Sequence, residues 1–597
     1  MNTKRFHRFL LVALAVGCGT VSSWAMVEPA IPSELVASSH PFGLSDEQLD
    51  ELSSHVLWRR LLMFGDTKPM SGKSRIESAA FFLASDGRVS PKSELIAMLS
   101  AMAVNDDGVI CRFPARTHFL KDELFKMGID VVVSDAGCQA FHAWADKIDA
   151  QSLSLVFAEE HANNIGSAFA HAFMRIDASG DGADERATAM NYTVASSSDD
   201  GVIASAIKPL TGRYAGVMEI LPYQVKAHDY LVKDERDLWV YRLDLTPTQV
   251  AQIMRHIWEV QDLARPYYLT HDNCATEIVR LIDVVRADKS LASMLGVVTT
   301  PAKVAQVLNE QGVITSTTYH PSNSTKRQAV MTNGSAFDMA TIKPNNNNPT
   351  TASPTHRLGV AVSYDERRVD NVGYHFSFRS AYQDMLDNPA GVRKFHEVLL
   401  PSIDLTHQDG KLHLNELTIF KAASLNPANT AKAYPDGQSE QKAWANRMQL
   451  GLRQVVDASN EQNDTHLVVD IALQKGKSWT LGTPKAQTGD MADTVCYVLG
   501  GATTQLGRVN QGYRVGVQLN TGCIHHQTDR WRVMGELEVP YWYHKDSVGR
   551  SGYVQPMLKL GTQYDLSRHH ALRMTASTQK NHSQSDHAVK VEMLRYF

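Results

Sequence analysis

The sequence has no run of about 18 apolar residues, which excludes a membrane-spanning helix. It has no basic excess either: 59 Lys and Arg stand against 64 Asp and Glu, a net charge of −5, which argues against a dedicated nucleic-acid binder. The sequence has no Cys or His pairs at the spacing of zinc ligands, no phosphate-binding loop and no dinucleotide-binding fingerprint. We therefore predict no metal and no cofactor. What is present is 43% apolar residues in a chain of 597. That content excludes wholesale disorder and leaves a soluble protein, a β-barrel, or both in one chain.

The first 25 residues have the pattern of a secretory signal peptide. A basic stretch ending at Arg8 precedes an apolar run over 9–16, and small residues up to Ala25 suit a signal peptidase. Cleavage after Ala25 is our prediction. The alternative is lipidation of Cys18 in the loose lipobox 15–18. By either route the chain leaves the cytoplasm.

The cysteines that follow the predicted signal peptide form two candidate pairs and leave one cysteine unpaired. Without the signal peptide five cysteines enter an oxidising compartment, an odd number. Cys111 and Cys138 are 27 residues apart, and so are Cys496 and Cys523, which makes each pair a candidate disulfide. Cys274 then remains a free thiol, which is either buried and inert or reactive.

The composition along the chain predicts an α+β protein with several parts. Residues 26–150 have the apolar spacing of helices, and residues 151–316 mix strands and helices. Residues 317–355, rich in Asn, Thr, Ser and Pro, are predicted as a linker or a long loop. Between 356 and 597, about twelve alternating segments predict an antiparallel β-barrel in the outer membrane.

The last strand supports the barrel prediction. Val589, Val591 and Met593 fall on one face, and the chain ends on the aromatic Phe597. This ending resembles the last strand of outer-membrane barrels. The alternative is a soluble sandwich that ends in Phe.

Cys274 is the candidate nucleophile. Ile278, Leu281 and Ile282 share one face of a helix that begins near Asp272, so Cys274 lies in the first turn. Unpaired N–H groups and the positive end of the helix dipole are expected to lower the pKa of the thiol. The same N–H groups could hold an oxyanion. The alternative is a small buried Cys at a helix end.

His171 is the candidate base, and Asn191 the side chain that orients it. Residues 170–177 and 187–194 are predicted as consecutive strands, which could place Asn191 beside the imidazole. A Cys nucleophile, a His base and a polar partner make a site for thiol acyl transfer. Sequence spacing does not single out His171, and the rival histidines are His228, His256 and His271.

Several stretches of the central region form a recognisable set of motifs: residues 167–176, 190–192, 212–216, 222–226, 235–239 and 273–275. In these stretches the central region resembles the Lnb N-terminal periplasmic domain family. The family usually has Gly before the His, where this chain has Ala170. Flanking stretches near Trp58, Cys111 and Arg379 resemble the regions that precede and follow the domain in proteobacterial members.

The resemblance implies a circularly permuted papain-like thiol fold, in which the His precedes the Cys. It further implies a periplasmic Cys-dependent acyl-transfer enzyme acting on lipid or lipoprotein acyl groups at the outer membrane. Cys274 would be the nucleophile, His171 the base and Asn191 its orienting partner. Two alternatives stay open: a peptidoglycan amidase or endopeptidase, and a non-catalytic binding domain on a barrel.

Overall fold

A computed structural model gives the fold of most of the chain. The predicted signal peptide, with Cys18, lies outside the described residues. The structure describes residues 40–65, 72–160, 170–180, 182–195, 208–334, 336–366, 371–408, 410–427, 444–482, 491–509, 512–545, 549–582 and 584–597.

The N-terminal region is helical, as predicted. Its fully buried Arg116 lies 2.8 Å from a carboxylate oxygen of Glu94 and 3.3 Å from one of Glu259, which belongs to the next domain. This ion cluster joins the helices to that domain. The predicted disulfide between Cys111 and Cys138 forms. The helices are α1 (Asp46–Ser54), α2 (Val56–Leu61), α3 (Pro91–Ala103), α4 (Asp107–Arg112), α5 (Pro114–Lys126) and α6 (Gln139–Ile148).

The next domain, here called the sheet domain, is an antiparallel sheet with helices. Its strands are β1 (Ser152–Ala158), β2 (His171–Asp177), β3 (Thr188–Val194), β4 (Tyr214–Pro222), β5 (Leu238–Leu243), β6 (Arg265–Tyr267) and β7 (Ile314–His320). Its helices are α7 (Ala183–Arg186), α8 (Tyr223–His228), α9 (Pro247–Val260), α10 (Cys274–Asp283), α11 (Pro301–Glu310) and α12 (Asn323–Asn333). The strand order is β6-β4-β3-β2-β1-β5-β7, and α10 packs against β2. No helix in the described part of the chain is long and apolar enough to cross a membrane.

The prediction of a linker over 317–355 is wrong, because this segment is folded onto the sheet domain. β7 pairs with β5, and α12 follows it. Asp237 fixes the start of α12, since it accepts the N–H of Ser322 at 2.7 Å and the hydroxyl of Thr325 at 2.8 Å. Thr and Ser serve here in an edge strand and as helix caps, so their abundance does not indicate a flexible spacer.

The C-terminal region is a closed antiparallel barrel of twelve described strands, which confirms the prediction. The ring closes where β22 pairs with β8 and β13 pairs with β14. Its strands are β8 (Arg357–Asp365), β9 (Val372–Arg379), β12 (Ser402–Gln408), β13 (Lys411–Ser424), β14 (Ala445–Val456), β15 (Thr465–Leu481), β16 (Thr494–Gly507), β17 (Tyr513–Thr528), β18 (Trp531–Tyr543), β20 (Met557–Asp565), β21 (His570–Lys580) and β22 (Ser585–Tyr596). Short strands β10 (Tyr382–Gln383), β11 (His396–Leu399) and β19 (Gly552–Val554) pair beside the ring.

The outer face of the barrel is apolar. Val589, Val591 and Met593 on β22 point outward, as their alternation predicts, and the second predicted disulfide joins Cys496 and Cys523 across β16 and β17. Exposed aromatic rings mark both rims, in the pattern of a membrane barrel. They are Trp479, Trp531, Tyr564 and Phe597 at the rim nearer the sheet domain, and Tyr364, Tyr374, Tyr541 and Tyr543 at the far rim.

The interior of the barrel is charged. Glu536 lies 2.7 Å from Arg447, and Glu538 lies 2.6 Å from Lys559. These pairs line a cavity of about 360 Å³. Residues 380–387, here called the plug segment, leave β9 at the near rim and enter this lumen. The carbonyl oxygen of Leu386 in that segment accepts the Nε–H of Arg532 at 2.8 Å.

Candidate active site

Cys274 is the first residue of α10, as predicted. Asn273 caps the helix, because its Oδ1 accepts the N–H groups of Ala275 at 3.1 Å and Thr276 at 3.2 Å. Its Nδ2 is also held, by the carbonyl oxygen of Leu269 at 3.0 Å and that of Thr299 at 2.8 Å. The cap therefore fixes where the helix, and with it the thiol, begins.

The oxyanion prediction needs a correction. Asn273 already accepts the N–H groups of Ala275 and Thr276, and the Ala275 N–H also reaches the Cys274 thiol, so the Cys274 N–H is the first-turn donor that the cap leaves available. That N–H points at the hydroxyl oxygen of Tyr267 on β6, at 3.4 Å. At rest the Tyr267 hydroxyl accepts this N–H and contacts the thiol, and a carbonyl oxygen bound between the two groups would accept from both the N–H and the O–H. Tyr267 belongs to no motif in the sequence, and only its place seven residues before Cys274 could have indicated that it contacts the site.

The expected lowering of the thiol pKa is also wrong. Burial raises the pKa of Cys274, whose residue is only 4% exposed. The Ala172 N–H, the Tyr267 hydroxyl, the Ala275 N–H and the cation of Arg236 oppose this rise without cancelling it. Loss of hydration outweighs the favourable helix end, so the thiol at rest is neutral.

His171 and Asn191 are brought together as predicted. The Nε2 of His171 lies 2.6 Å from the Oδ1 of Asn191. The Asn191 Nδ2 donates to Glu219 Oε2 at 2.7 Å, which fixes the amide with its oxygen toward His171. His171 therefore carries its proton on Nε2 and keeps a lone pair on Nδ1. Glu219, on the neighbouring β4, was not found from the sequence.

The imidazole of His171 is neutral as well. Burial lowers the pKa of His171 to about 3, with the Arg236 and Lys226 cations acting in the same direction and the Asn191 hydrogen bond opposing them. The ring of Tyr230 stacks on the imidazole at 6.0 Å between centroids. Thiol and imidazole thus rest as an uncharged pair.

Cys274 reaches the strand that carries His171 where β2 separates from β3. The β2–β3 ladder covers only Met174 to Ile176, so the first part of β2 is released from β3. The thiol accepts a hydrogen bond from the N–H of Ala172, the residue directly after His171. Among the described contacts, the thiol and the imidazole make no direct hydrogen bond, as is common before substrate binds.

Ala170 takes a left-handed conformation, with φ of 61°. Glycine adopts this conformation without the cost that a Cβ imposes, which explains why Gly is usual before the His. The Ala170 methyl group is buried in the same apolar core as Cys274. The substitution thus keeps the sharp entry of the chain into β2 and leaves the imidazole in place.

The rival histidines lie elsewhere. His228 is exposed at the end of α8. His256 is buried on α9, with its Nδ1 3.9 Å from Glu259. His271 stacks on the ring of Tyr268 at 4.7 Å. Over the described residues, no group of His, Cys, Asp and Glu side chains is arranged to hold a metal ion.

Fold and site together define the class: a mixed α/β domain with a Cys–His–Asn constellation, joined to a closed β-barrel. Residues 140–311 match the model of the Lnb N-terminal periplasmic domain family, the family that the sequence resembles. Residues 50–123 and 346–596 match two domains of unknown function, DUF7843 and DUF7840. No curated protein matches the chain.

The barrel is similar to solved outer-membrane proteins. The matches include the NanC porin, with 8% identity, a TM-score of 0.23, and coverage of 40% of this chain and 99% of that chain. The KdgM porin has 7% identity, a TM-score of 0.22, and coverage of 40% and 99%. OmpT of Vibrio cholerae has 8% identity, a TM-score of 0.20, and coverage of 40% and 98%. The match to a periplasmic domain and the barrel with its apolar exterior locate the chain in the periplasm and outer membrane of a Gram-negative bacterium.

Proposed function

We propose that the chain is a periplasmic Cys-dependent acyl-transfer enzyme with a permuted papain-like site, held at the outer membrane by its barrel. One observation carries the proposal. Cys274 begins a capped helix beside two oxyanion donors, while His171 is fixed in the tautomer that can accept a proton on Nδ1. A buried cysteine without chemistry would need neither the donors nor an oriented imidazole.

In the first half of the reaction, Cys274 takes the acyl group. The sulfur attacks the carbonyl carbon of an ester or amide, and its proton passes to Nδ1 of His171. The carbonyl oxygen becomes an oxyanion between the Cys274 N–H and the Tyr267 O–H. Collapse breaks the bond to the alcohol or amine, which leaves with the proton from His171. A thioester on Cys274 remains.

In the second half, His171 removes a proton from an acceptor amine or a water molecule, which attacks the thioester. The sulfur leaves and regains a proton from the imidazolium. With its pKa lowered to about 3, His171 is unprotonated at neutral pH and its Nδ1 is free to accept a proton. Because so low a pKa makes it a weak base, the proton transfer depends on the bound substrate and the developing oxyanion. The raised pKa of Cys274 makes a base necessary.

The acyl group is that of a lipid or lipoprotein. The barrel holds the sheet domain at one rim, beside the inner leaflet of the outer membrane. The loops on which the Asn273 cap rests pack apolar side chains toward the barrel, among them Leu269 and Val298 against Phe420. These apolar side chains near the site suit a fatty acyl chain better than a cell-wall peptide, for which a polar open cleft is expected.

Intact mass spectrometry of the mature protein, extracted from membranes, tests the proposal. We expect a fatty-acyl mass that neutral hydroxylamine removes and that Cys274→Ala abolishes. His171→Ala should prevent its formation, whereas His228→Ala, which changes an exposed histidine of the same domain, should not. A hydroxylamine-labile adduct of peptide size would favour a cell-wall amidase. No adduct with any ester or amide donor would support a binding domain with an inert thiol.

A further inference from the structure

Tyr382 links the barrel to the site of Cys274. It belongs to the plug segment and is buried, at 7% exposure. It packs in one apolar cluster with Val298, and Leu269 packs against the same cluster. These two residues belong to the loops whose carbonyl groups hold the side chain of Asn273, through Leu269 itself and through Thr299, next to Val298. A barrel residue therefore supports the cap that positions the nucleophile.

The conformation of Tyr382 shows that this contact is imposed by its surroundings. Its φ is 61°, a left-handed value that a tyrosine adopts only where neighbouring contacts hold it. Its hydroxyl is within electrostatic reach of the nucleophile: burial raises the pKa of Tyr382, and the Glu160 carboxyl and the Cys274 thiol raise it further.

The other end of the plug segment is anchored in the lumen. Asp384 lies 2.7 Å from Arg357 and accepts two hydrogen bonds from Arg573, at 2.7 and 2.8 Å. Asp387 pairs with Arg379 and accepts the Tyr596 hydroxyl at 2.6 Å. These partners come from strands β8, β9, β21 and β22, which lie together only in the closed ring. The anchor therefore exists only when the barrel is assembled.

We propose that the plug segment is a positioning element of the thiol site, through which the assembled barrel sets the position of Cys274. The arginines of the ring hold Asp384 and Asp387, only one residue separates Asp384 from Tyr382, and Tyr382 supports the loops around Asn273. This inference rests on the proposed function. If the chain is an acyl-transfer enzyme, the plug segment confines acyl transfer to chains whose barrel has closed. Tyr382 acts through Asn273 and is a positioning residue.

The test is the rate at which iodoacetamide alkylates Cys274 in the full mature chain in detergent, measured across pH. In Tyr382→Ala the thiol gains exposure, and a fall of about one unit in its pKa would raise the alkylation rate about tenfold below that pKa. Tyr382→Phe should restore the wild-type rate and pH profile. Tyr364→Ala, the same change on the outer face of the barrel, is the matched control and should have no effect.

Asp384→Asn provides a second perturbation at the remote anchor, and it should also accelerate alkylation. If Tyr382→Ala yields no closed barrel, Tyr382→Leu and Asp384→Asn are measured in its place. A wild-type rate and pH profile in folded Tyr382→Ala, or in both replacements, would overturn the proposal. Alkylation needs no substrate, so the two proposals can fail separately. If the Tyr382 and Asp384 variants change the alkylation rate but no acyl-enzyme forms, only the proposed function is refuted. If an acyl-enzyme forms but these variants keep the wild-type alkylation rate, only this inference is refuted.

Discussion

Glu219 offers a sharp test of how the candidate base is prepared. Its carboxylate accepts the Nδ2–H of Asn191 at 2.7 Å, and this bond alone decides which end of the amide faces His171. In Glu219→Leu the amide can turn over and present its NH₂ group to Nε2. His171 must then carry its proton on Nδ1, where it cannot accept the proton of Cys274.

The size of the effect follows from the hydrogen bond that is lost. A bond to a charged acceptor contributes roughly 1.5–3 kcal/mol. The Glu219 side chain is 47% exposed, which favours the lower end of that range. About 1.4 kcal/mol is tenfold in an equilibrium, so Glu219→Leu should lower the acylation rate about tenfold. Glu219→Gln keeps a neutral acceptor and should lose about threefold, since charged hydrogen bonds are roughly twice as strong.

The assay is the burst of p-nitrophenolate released when a p-nitrophenyl ester acylates Cys274, followed by stopped flow at neutral pH. Asn191→Ala removes the acceptor itself and should be slower than either Glu219 variant. Glu185→Leu, at an exposed position on α7, is the matched control and should keep the wild-type burst rate. A wild-type burst in Glu219→Leu, or a larger loss there than in Asn191→Ala, would refute the orienting role.

Three further outcomes are expected. Replacing Cys111 and Cys138 by Ser should lower the free energy of unfolding of the helical region by roughly 3–4 kcal/mol in urea melts, because the disulfide closes a loop of 27 residues; an unchanged midpoint would contradict this. Because burial lowers the pKa of His171 to about 3, the unfolded chain binds the extra proton first as the pH falls. Stability should therefore decrease from about pH 6.5 downward, by roughly 2 kcal/mol at about pH 5, and His171→Gln should flatten that slope in pH-dependent melts. With Asp384 and Asp387 anchored in the lumen, the full chain should show no steady conductance in planar bilayers, and Asn at both positions should produce openings; a steady wild-type conductance would show that the lumen is open.

Local patterns predicted part of the site. The alternation along two consecutive strands allowed Asn191 to lie beside His171, and the apolar spacing after Cys274 placed it in the first turn of α10. The closed barrel followed in the same way, from strand-length alternation that ends at Phe597. Each of these predictions needs only neighbouring residues and the period of a helix or a strand. The choice of His171 over the other histidines came from the family resemblance.

What the sequence could not predict depends on residues that are distant in the chain. The thiol pKa rises instead of falling because burial is a property of the packed domain, which a helix N-terminus alone does not reveal. Glu219 becomes the partner of Asn191 only through the pairing of β3 with β4. Tyr267 reaches the Cys274 N–H because β6 lies at the edge of the same sheet.

The neutral state of Cys274 and His171 and the contact of Tyr382 with the loops near Cys274 are both tied to the burial of the site. A thiol kept in water would ionise more easily and would also react with any electrophile that enters the periplasm. Burial beneath loops that contact Tyr382 raises the pKa of Cys274, so the thiol is protonated at rest. In the proposed reaction, the thiol therefore loses its proton only when a substrate carbonyl group is bound and His171 accepts that proton. The hydrogen bond to Asn191 keeps Nδ1 of His171 free for this step. A buried thiol thus needs a base, and in the proposed coupling the closed barrel keeps the thiol buried.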